Sequence, residues 1–202
     1  MKIPSLDEAR AMIKEAAETR ASCSADFNPR IWIEHVEFVA QNAKVLATFC
    51  PGLNPDDAYI LGLLHDIGIR SDTDGKTFRA LSGYQYLKKL GFDDAARIAL
   101  THAFIIKDNG HLHDCPDQEA VKNTLAIVKA WKYDDYDRLI QLCNCLNDKG
   151  RNCTVLARMN ALAAARSMPA ESLDRLRVAV QELKDYFDER CNCNIYRIIG
   201  LD

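Results

Sequence analysis

Apolar residues recur at three- and four-residue intervals along nearly the whole chain, the spacing of helices that bury one face. Ser5-Leu6-Asp7-Glu8 forms a capping box that opens a helix to about Arg20. Asn28-Pro29 caps a second, from about Arg30 to Phe49, and Asn54-Pro55-Asp56-Asp57 opens a third that ends at His65-Asp66. The polar stretch Ile69 to Lys76 reads as a loop. Further helices are predicted near Thr77 to Leu90 with Gly91 as C-cap, Asp93 to His102, Asp117 to Ala130, Asp134 to Asn147, Thr154 to Ser167, Pro169 to Phe187 and, briefly, Ile195 to Ile199. Ile106 to Pro116 is the longest irregular piece, of the kind that carries function. No run of alternating β-branched residues interrupts the pattern. The fold is therefore expected to be all-α, a single-domain bundle of roughly eight to ten helices with no repeat and no linker.

Composition agrees with such a domain. At 202 residues, 48% hydrophobic and 27% charged, the chain is long enough to bury a substantial core and is neither disordered nor membrane-embedded. The amphipathic start lacks the order of a signal peptide, and no apolar run reaches the ~18 residues of a membrane span. A cytoplasmic location is expected, with no membrane partner. The net charge of −3 comes without a basic stripe, which disfavours a nucleic-acid polymer but leaves small anionic substrates open. The eight cysteines are expected to be reduced. Cys143/Cys145 and Cys191/Cys193 suggest a four-thiolate site, but i and i+2 on a helix point roughly 200° apart. Buried small hydrophobes are the better reading.

One dipeptide breaks the apolar logic. His65-Asp66 follows Tyr59-Ile60-Leu61-Gly62-Leu63-Leu64 and precedes Ile67-Gly68. Burying two polar ligands without partners is costly, and a divalent metal compensates both, since imidazole nitrogen and carboxylate oxygen are good ligands for Zn, Mn, Fe or Ni. Consecutive helical residues diverge by about 100°, so the two can converge on one ion only at a helix end or over a cleft. Gly68 marks such an end. His35, at helical spacing with Ile31, Val39 and Leu46, is expected to face inward. Asp137, Asn144 and Asp148 share a face of a later helix, and Asn144 lies among leucines and cysteines where an amide needs partners.

The order of His35, His65-Asp66 and a polar residue on a later helix resembles the HD-domain superfamily of metal-dependent phosphohydrolases. His65-Asp66-Ile67-Gly68 matches its HDIG variety. Gly83-Tyr84-Gln85-Tyr86-Leu87, Thr101-His102-Ala103-Phe104, Tyr136-Asp137-Arg138-Leu139-Ile140-Gln141-Leu142-Cys143 and Ile195-Tyr196-Arg197 are similar to a group of small stand-alone bacterial HD proteins. The resemblance implies one HD-type domain over 1–202, with a core at about 28–150 and C-terminal helices over 152–200 packed on it. It implies a metal held by His35, His65, Asp66 and Asn144, with His102 matching a ligand that serves a second metal in binuclear relatives. Two positions depart from the pattern. Asn144 stands where the group has an aspartate, and Ala80, after Arg79, stands where a histidine is expected.

The reading that follows is a metal-dependent phosphohydrolase, a hydrolase of ester bonds, acting on a small phosphorylated molecule such as a nucleotide. One divalent ion (Mn, Ni, Co, Mg, Zn or Fe) would activate water and polarise a phosphoryl oxygen. Asp66 would ligate and orient that water, and Arg70, Lys107 and Arg138 would neutralise phosphate charge. His111 and His113 are candidates for a lid, and Asp148 for the missing carboxylate. The alternative is a degenerate HD domain that binds a ligand or partner without catalysis, motivated by Asn144 and Ala80. An oxygenase-type di-metal centre is a third reading, disfavoured by Ala80.

Overall fold

A computed structural model describes residues 1–72, 76–108, 112, 115–148, 150–165 and 169–201. Among these, ten α-helices follow in chain order: α1 Leu6–Cys23, α2 Pro29–Phe49, α3 Pro55–Leu64, α4 Arg79–Lys89, α5 Asp93–Thr101, α6 Gln118–Lys129, α7 Asp135–Cys145, α8 Val155–Ala165, α9 Ala170–Cys191 and α10 Ile195–Ile198. The fold is all-α. Its only described strands are the two-residue β1 (Asn147–Asp148) and β2 (Arg151–Asn152), paired antiparallel with Asn147 opposite Asn152.

Local sequence explains most helix starts. Ser5 and Glu8 cap α1 reciprocally, and the Asn28 and Asn54 side chains each accept two backbone N–H groups ahead of a proline in the first turn. Asp134 and Asp137 form the same reciprocal box at α7. Three boundaries differ from expectation. α7 stops at Cys145, so Asn147 leaves the helix and enters β1. α9 runs on to Cys191, where Asn192 adopts a left-handed conformation and ends it. The stretch after His65-Asp66 begins with a 3₁₀ turn over Ile67–Ser71, not an open loop.

The core is built around α2 and α3, which pack closely along Val36, Val39, Ala40, Ala43, Leu61 and Leu64. Ile31, expected on that face, is 55% exposed. The close approach has a specific cause. A Cβ on Gly62 would lie 2.5 Å from the Ala40 Cα, so only glycine lets the two backbones meet there. Gly68 acts likewise on the 3₁₀ turn, since its Cβ would fall 1.9 Å from the Arg79 carbonyl oxygen at the start of α4. Across the bundle, Asp137 is fully buried and accepts from Arg97 Nε at 3.1 and 3.0 Å, Arg97 Nη2 at 2.6 Å and Thr101 Oγ1 at 2.7 Å. Gln141 Nε2 adds a bond to the Thr101 carbonyl at 2.8 Å. This network ties the end of α5 to α7, and its charge is matched and hydrogen-bonded, as a buried pair requires.

The expectation that all cysteines are reduced is corrected for one pair. Cys50, at the end of α2, and Cys191, at the end of α9, are joined by a disulfide, their Cα atoms 4.8 Å apart. Tertiary packing brings the two helix ends together across 141 residues of sequence. The four-thiolate site does not assemble: Cys143 and Cys145 are buried, their thiols pushed upward by burial, Cys145 to about 12. They act as small core hydrophobes. No helix among the described residues is long and apolar enough to cross a membrane.

Gly62→Ala should lower the unfolding free energy by about 3 kcal/mol, the upper part of the range for overpacking a rigid contact. Urea unfolding followed by far-UV circular dichroism checks it, and an unchanged midpoint would show that α2 and α3 can separate freely.

Candidate functional site

α3 and α5 end in the same way. His65 and His102 are the C-cap residues of these helices, both with right-handed helical backbone. Each turns its Nδ1 back to the carbonyl three residues earlier, His65 to Gly62 at 2.7 Å and His102 to Ala99 at 3.0 Å. A helix end leaves such carbonyls without intrahelical partners, and a carbonyl can only accept. Nδ1 must therefore carry the proton, and in the neutral ring the lone pair sits on Nε2. The two rings meet edge to face, centroids 5.0 Å apart.

His35 completes the cluster from α2. Its Nε2 is 3.3 Å from His65 Nε2, and its Nδ1 is 2.9 Å from the Asn147 side-chain oxygen. With the Asn147 amide in that orientation, two ring lone pairs face each other and repel unless a cation lies between them. With the amide turned over, His35 donates to His65 instead. The pair accommodates a proton or a metal ion, and its separation suits the latter: two nitrogens bound tetrahedrally at ~2.05 Å lie about 3.3 Å apart. Carbonyl-anchored Nδ1 groups are also the usual support of metal-binding histidines.

Asp66 stands beside them, half-buried, with Oδ2 accepting from Trp32 Nε1 at 3.0 Å. Asn144 contacts His65 through its side chain. Sequence reasoning thus named His35, His65, Asp66, His102 and Asn144, and the fold brings all five together. Among the described residues, no three His, Cys, Asp or Glu side chains stand ready-arranged around one point as a metal site. The donor set nevertheless fits a divalent ion in kind: imidazoles with free Nε2, one carboxylate and one amide.

Electrostatics favour the uncharged form of His65 and His102. Burial, reinforced by the neighbouring His102 and His35, holds His65 well below the ordinary imidazole range, against the pull of the Gly62 carbonyl and Asn144. Burial also lowers His102, opposed chiefly by the Asp66 charge. Neutral rings are what metal binding requires.

The remaining candidates lie elsewhere. Arg70 bonds Glu15 at 2.8 Å and stacks on Tyr86, 4.0 Å from the ring centre. Lys107 bonds the Trp131 carbonyl and covers Tyr133. Arg138 approaches Asp135 at 3.5 Å and lies over Tyr186. All three are engaged in packing the bundle. Asp148 accepts from Arg158 at 3.2 Å, and Asp137 belongs to the α5–α7 network. His111 and His113 lie outside the described residues. Ala80 is buried in the wall of a cavity of about 330 Å³ that opens beside Asp66 and His102.

Three residues of the site were not anticipated. Trp32 lies one turn before His35 on α2, a spacing that places both on one face. The sequence pattern places Asn147 in a helix, and its role depends on the chain leaving that helix at Leu146. Arg79, at the cavity wall, carried no signal beyond its charge. No family model, curated protein or solved structure matches this chain. Fold and site together define a small all-helical domain with a cleft of three histidines at its centre.

Because His65 and His102 titrate lower in the folded protein than in the unfolded chain, the unfolded chain binds more protons just below the ordinary imidazole pKa of ~6.5. Metal-free protein should hold its full stability above that pH and lose it as the pH falls, by up to ~1.4 kcal/mol per unit for each ring. Urea unfolding of chelator-treated protein between about pH 5 and 7 measures this. A flat profile would mean that the rings are solvated.

Proposed function

We propose that this chain is a metal-dependent phosphohydrolase acting on a small phosphate ester, with a nucleotide as the favoured substrate. The observation that carries the reading is the His35–His65 pair, with Nε2 atoms 3.3 Å apart and rings steered by acceptors behind them. His35, His65, Asp66 and Asn144 would hold one divalent ion, with His102 alongside. Such an ion, when bound, supplies a Lewis acid that lowers the pKa of water and polarises a phosphoryl oxygen.

The residues have distinct tasks. His65 and His102 are neutral through burial, so their lone pairs are available without the cost of removing a proton. Trp32 fixes the Asp66 carboxylate through Oδ2, leaving Oδ1 to accept a proton from an attacking water. The adjoining cavity, walled by Phe78, Ala80, Ala103, Leu112 and Pro116, gives a ligand access to Asp66 and His102.

Asn144 favours a second reading, a domain that binds its ligand without turning it over. An amide oxygen in place of a carboxylate removes one negative charge from the donor set and weakens attraction for a hard cation.

Metal analysis of the purified protein, paired with phosphomonoester and nucleotide panels in Mn, Co, Ni, Mg or Fe, tests both. Asn144→Asp should raise metal affinity about tenfold or more, and His65→Ala should abolish binding. Turnover by the unaltered chain supports the hydrolase, and turnover only in Asn144→Asp supports the binding domain. Absence of metal and of turnover in both proteins overturns the assignment.

A further inference from the structure

The two-residue hairpin of β1 and β2 meets α2 at two points. Asn152, on β2, accepts from Asn42 Nδ2 at 2.7 Å and donates to the Ile199 carbonyl, so both ends of its amide are used. Asn147, opposite it on β1, reaches His35, which lies two helical turns before Asn42 on the same face of α2. Docking of the hairpin is thus the work of Asn152. Asn147 is 2% exposed, and its Nδ2 has no hydrogen-bond partner. A buried amide with one end unmet is destabilising, and an apolar side chain would fill the same place without that penalty. The reason for an amide here lies in the end that faces His35.

His65 donates Nδ1–H to the Gly62 carbonyl and so presents a bare Nε2 to His35 Nε2, 3.3 Å away. With no cation between them, that contact is a hydrogen bond only if His35 carries its proton on Nε2, and its Nδ1 must then accept. With an ion between them, His35 must carry the proton on Nδ1, which must then donate. An amide answers both demands from one position, because it has a carbonyl at one end and N–H groups at the other. Either end can make the 2.9 Å contact with His35 Nδ1. Since Nδ2 has no partner, turning the amide over breaks no bond to a third group. Without an ion, the turned-over form also exchanges an unmet buried N–H for an unmet carbonyl, the better tolerated of the two.

We infer that Asn147 is a positioning residue for the metal site, its amide turning over to hold His35 as the Nε2–H tautomer without an ion and as the Nδ1–H tautomer with one. The inference rests on reading the His35–His65 pair as a metal site. In the first state Asn147 removes the repulsion between two lone pairs, and in the second it leaves both Nε2 lone pairs to the ion, with no net proton lost from the ring. A carboxylate at this position would serve only the second state, and an aliphatic side chain neither.

Nitrogen NMR of the histidine rings reads the tautomers directly, in chelator-stripped protein and after addition of Zn²⁺ alone, at about pH 8, above the ordinary imidazole pKa of ~6.5. His35 is expected as the Nε2–H form in the stripped protein and as the Nδ1–H form with Zn²⁺. Asn147→Asp, which only accepts, should keep His35 Nδ1 protonated in both conditions and bind Zn²⁺ at least as tightly by calorimetry. Asn147→Leu should bind it about tenfold or more weakly. If Asn147→Leu fails to fold, the tautomers in Asn147→Asp decide alone. No Zn²⁺ uptake by the unaltered protein would sink the metal reading and this inference with it. Uptake accompanied by an Nδ1–H form in the stripped unaltered protein, by a bare Nδ1 in stripped Asn147→Asp, or by unchanged affinity in Asn147→Leu would overturn the inference alone.

Discussion

The contact of Gly62 with Ala40 governs this structure. Because residue 62 has no side chain, α3 lies directly on α2, and His65, one turn later, is carried to within hydrogen-bonding distance of His35. The same glycine contributes the carbonyl that fixes the His65 tautomer. A larger residue there would part the helices and separate His65 from His35. Helix packing and the geometry of the histidine pair are thus set at one backbone position.

The rest of the site is placed by helix ends. Both His65 and His102 satisfy a carbonyl of the turn before them and present Nε2 away from it, so the fold obtains two oriented imidazoles from one local rule. The Asp137 network then sets the relation between them, since it clamps Thr101, next to His102, against the helix that bears Asn144. Gly68 seats the 3₁₀ turn on α4, which brings Arg79 and Ala80 to the wall of the same cavity. The cleft is therefore assembled from contacts made outside it.

Much of this was legible in the chain. Capping residues announced α1, α2, α3 and α7, and an apolar run ending in His65-Asp66 has no packing rationale, which marks the pair as candidate ligands. The cations could not be read in this way. Arg70, Lys107 and Arg138 have the right charge and plausible positions, yet each is taken up by a ring or an acceptor that lies elsewhere in sequence. Arg79 and Arg20 gave no local sign, because both meet Asp72 only through the packing of α1, the 3₁₀ turn and α4.

The sequence alone determined the helical class and most element starts, because caps and periodicity act over a few residues, and it singled out His65-Asp66, His35 and Asn144 as polar groups in apolar surroundings, while His102 came in through the family resemblance. Tertiary structure decided the Cys50–Cys191 disulfide, the part played by Asn147 and Trp32, and the convergence of Arg20 and Arg79 on Asp72. Those depend on which groups meet across the bundle, and a distance between elements far apart in the chain is fixed only when their faces pack.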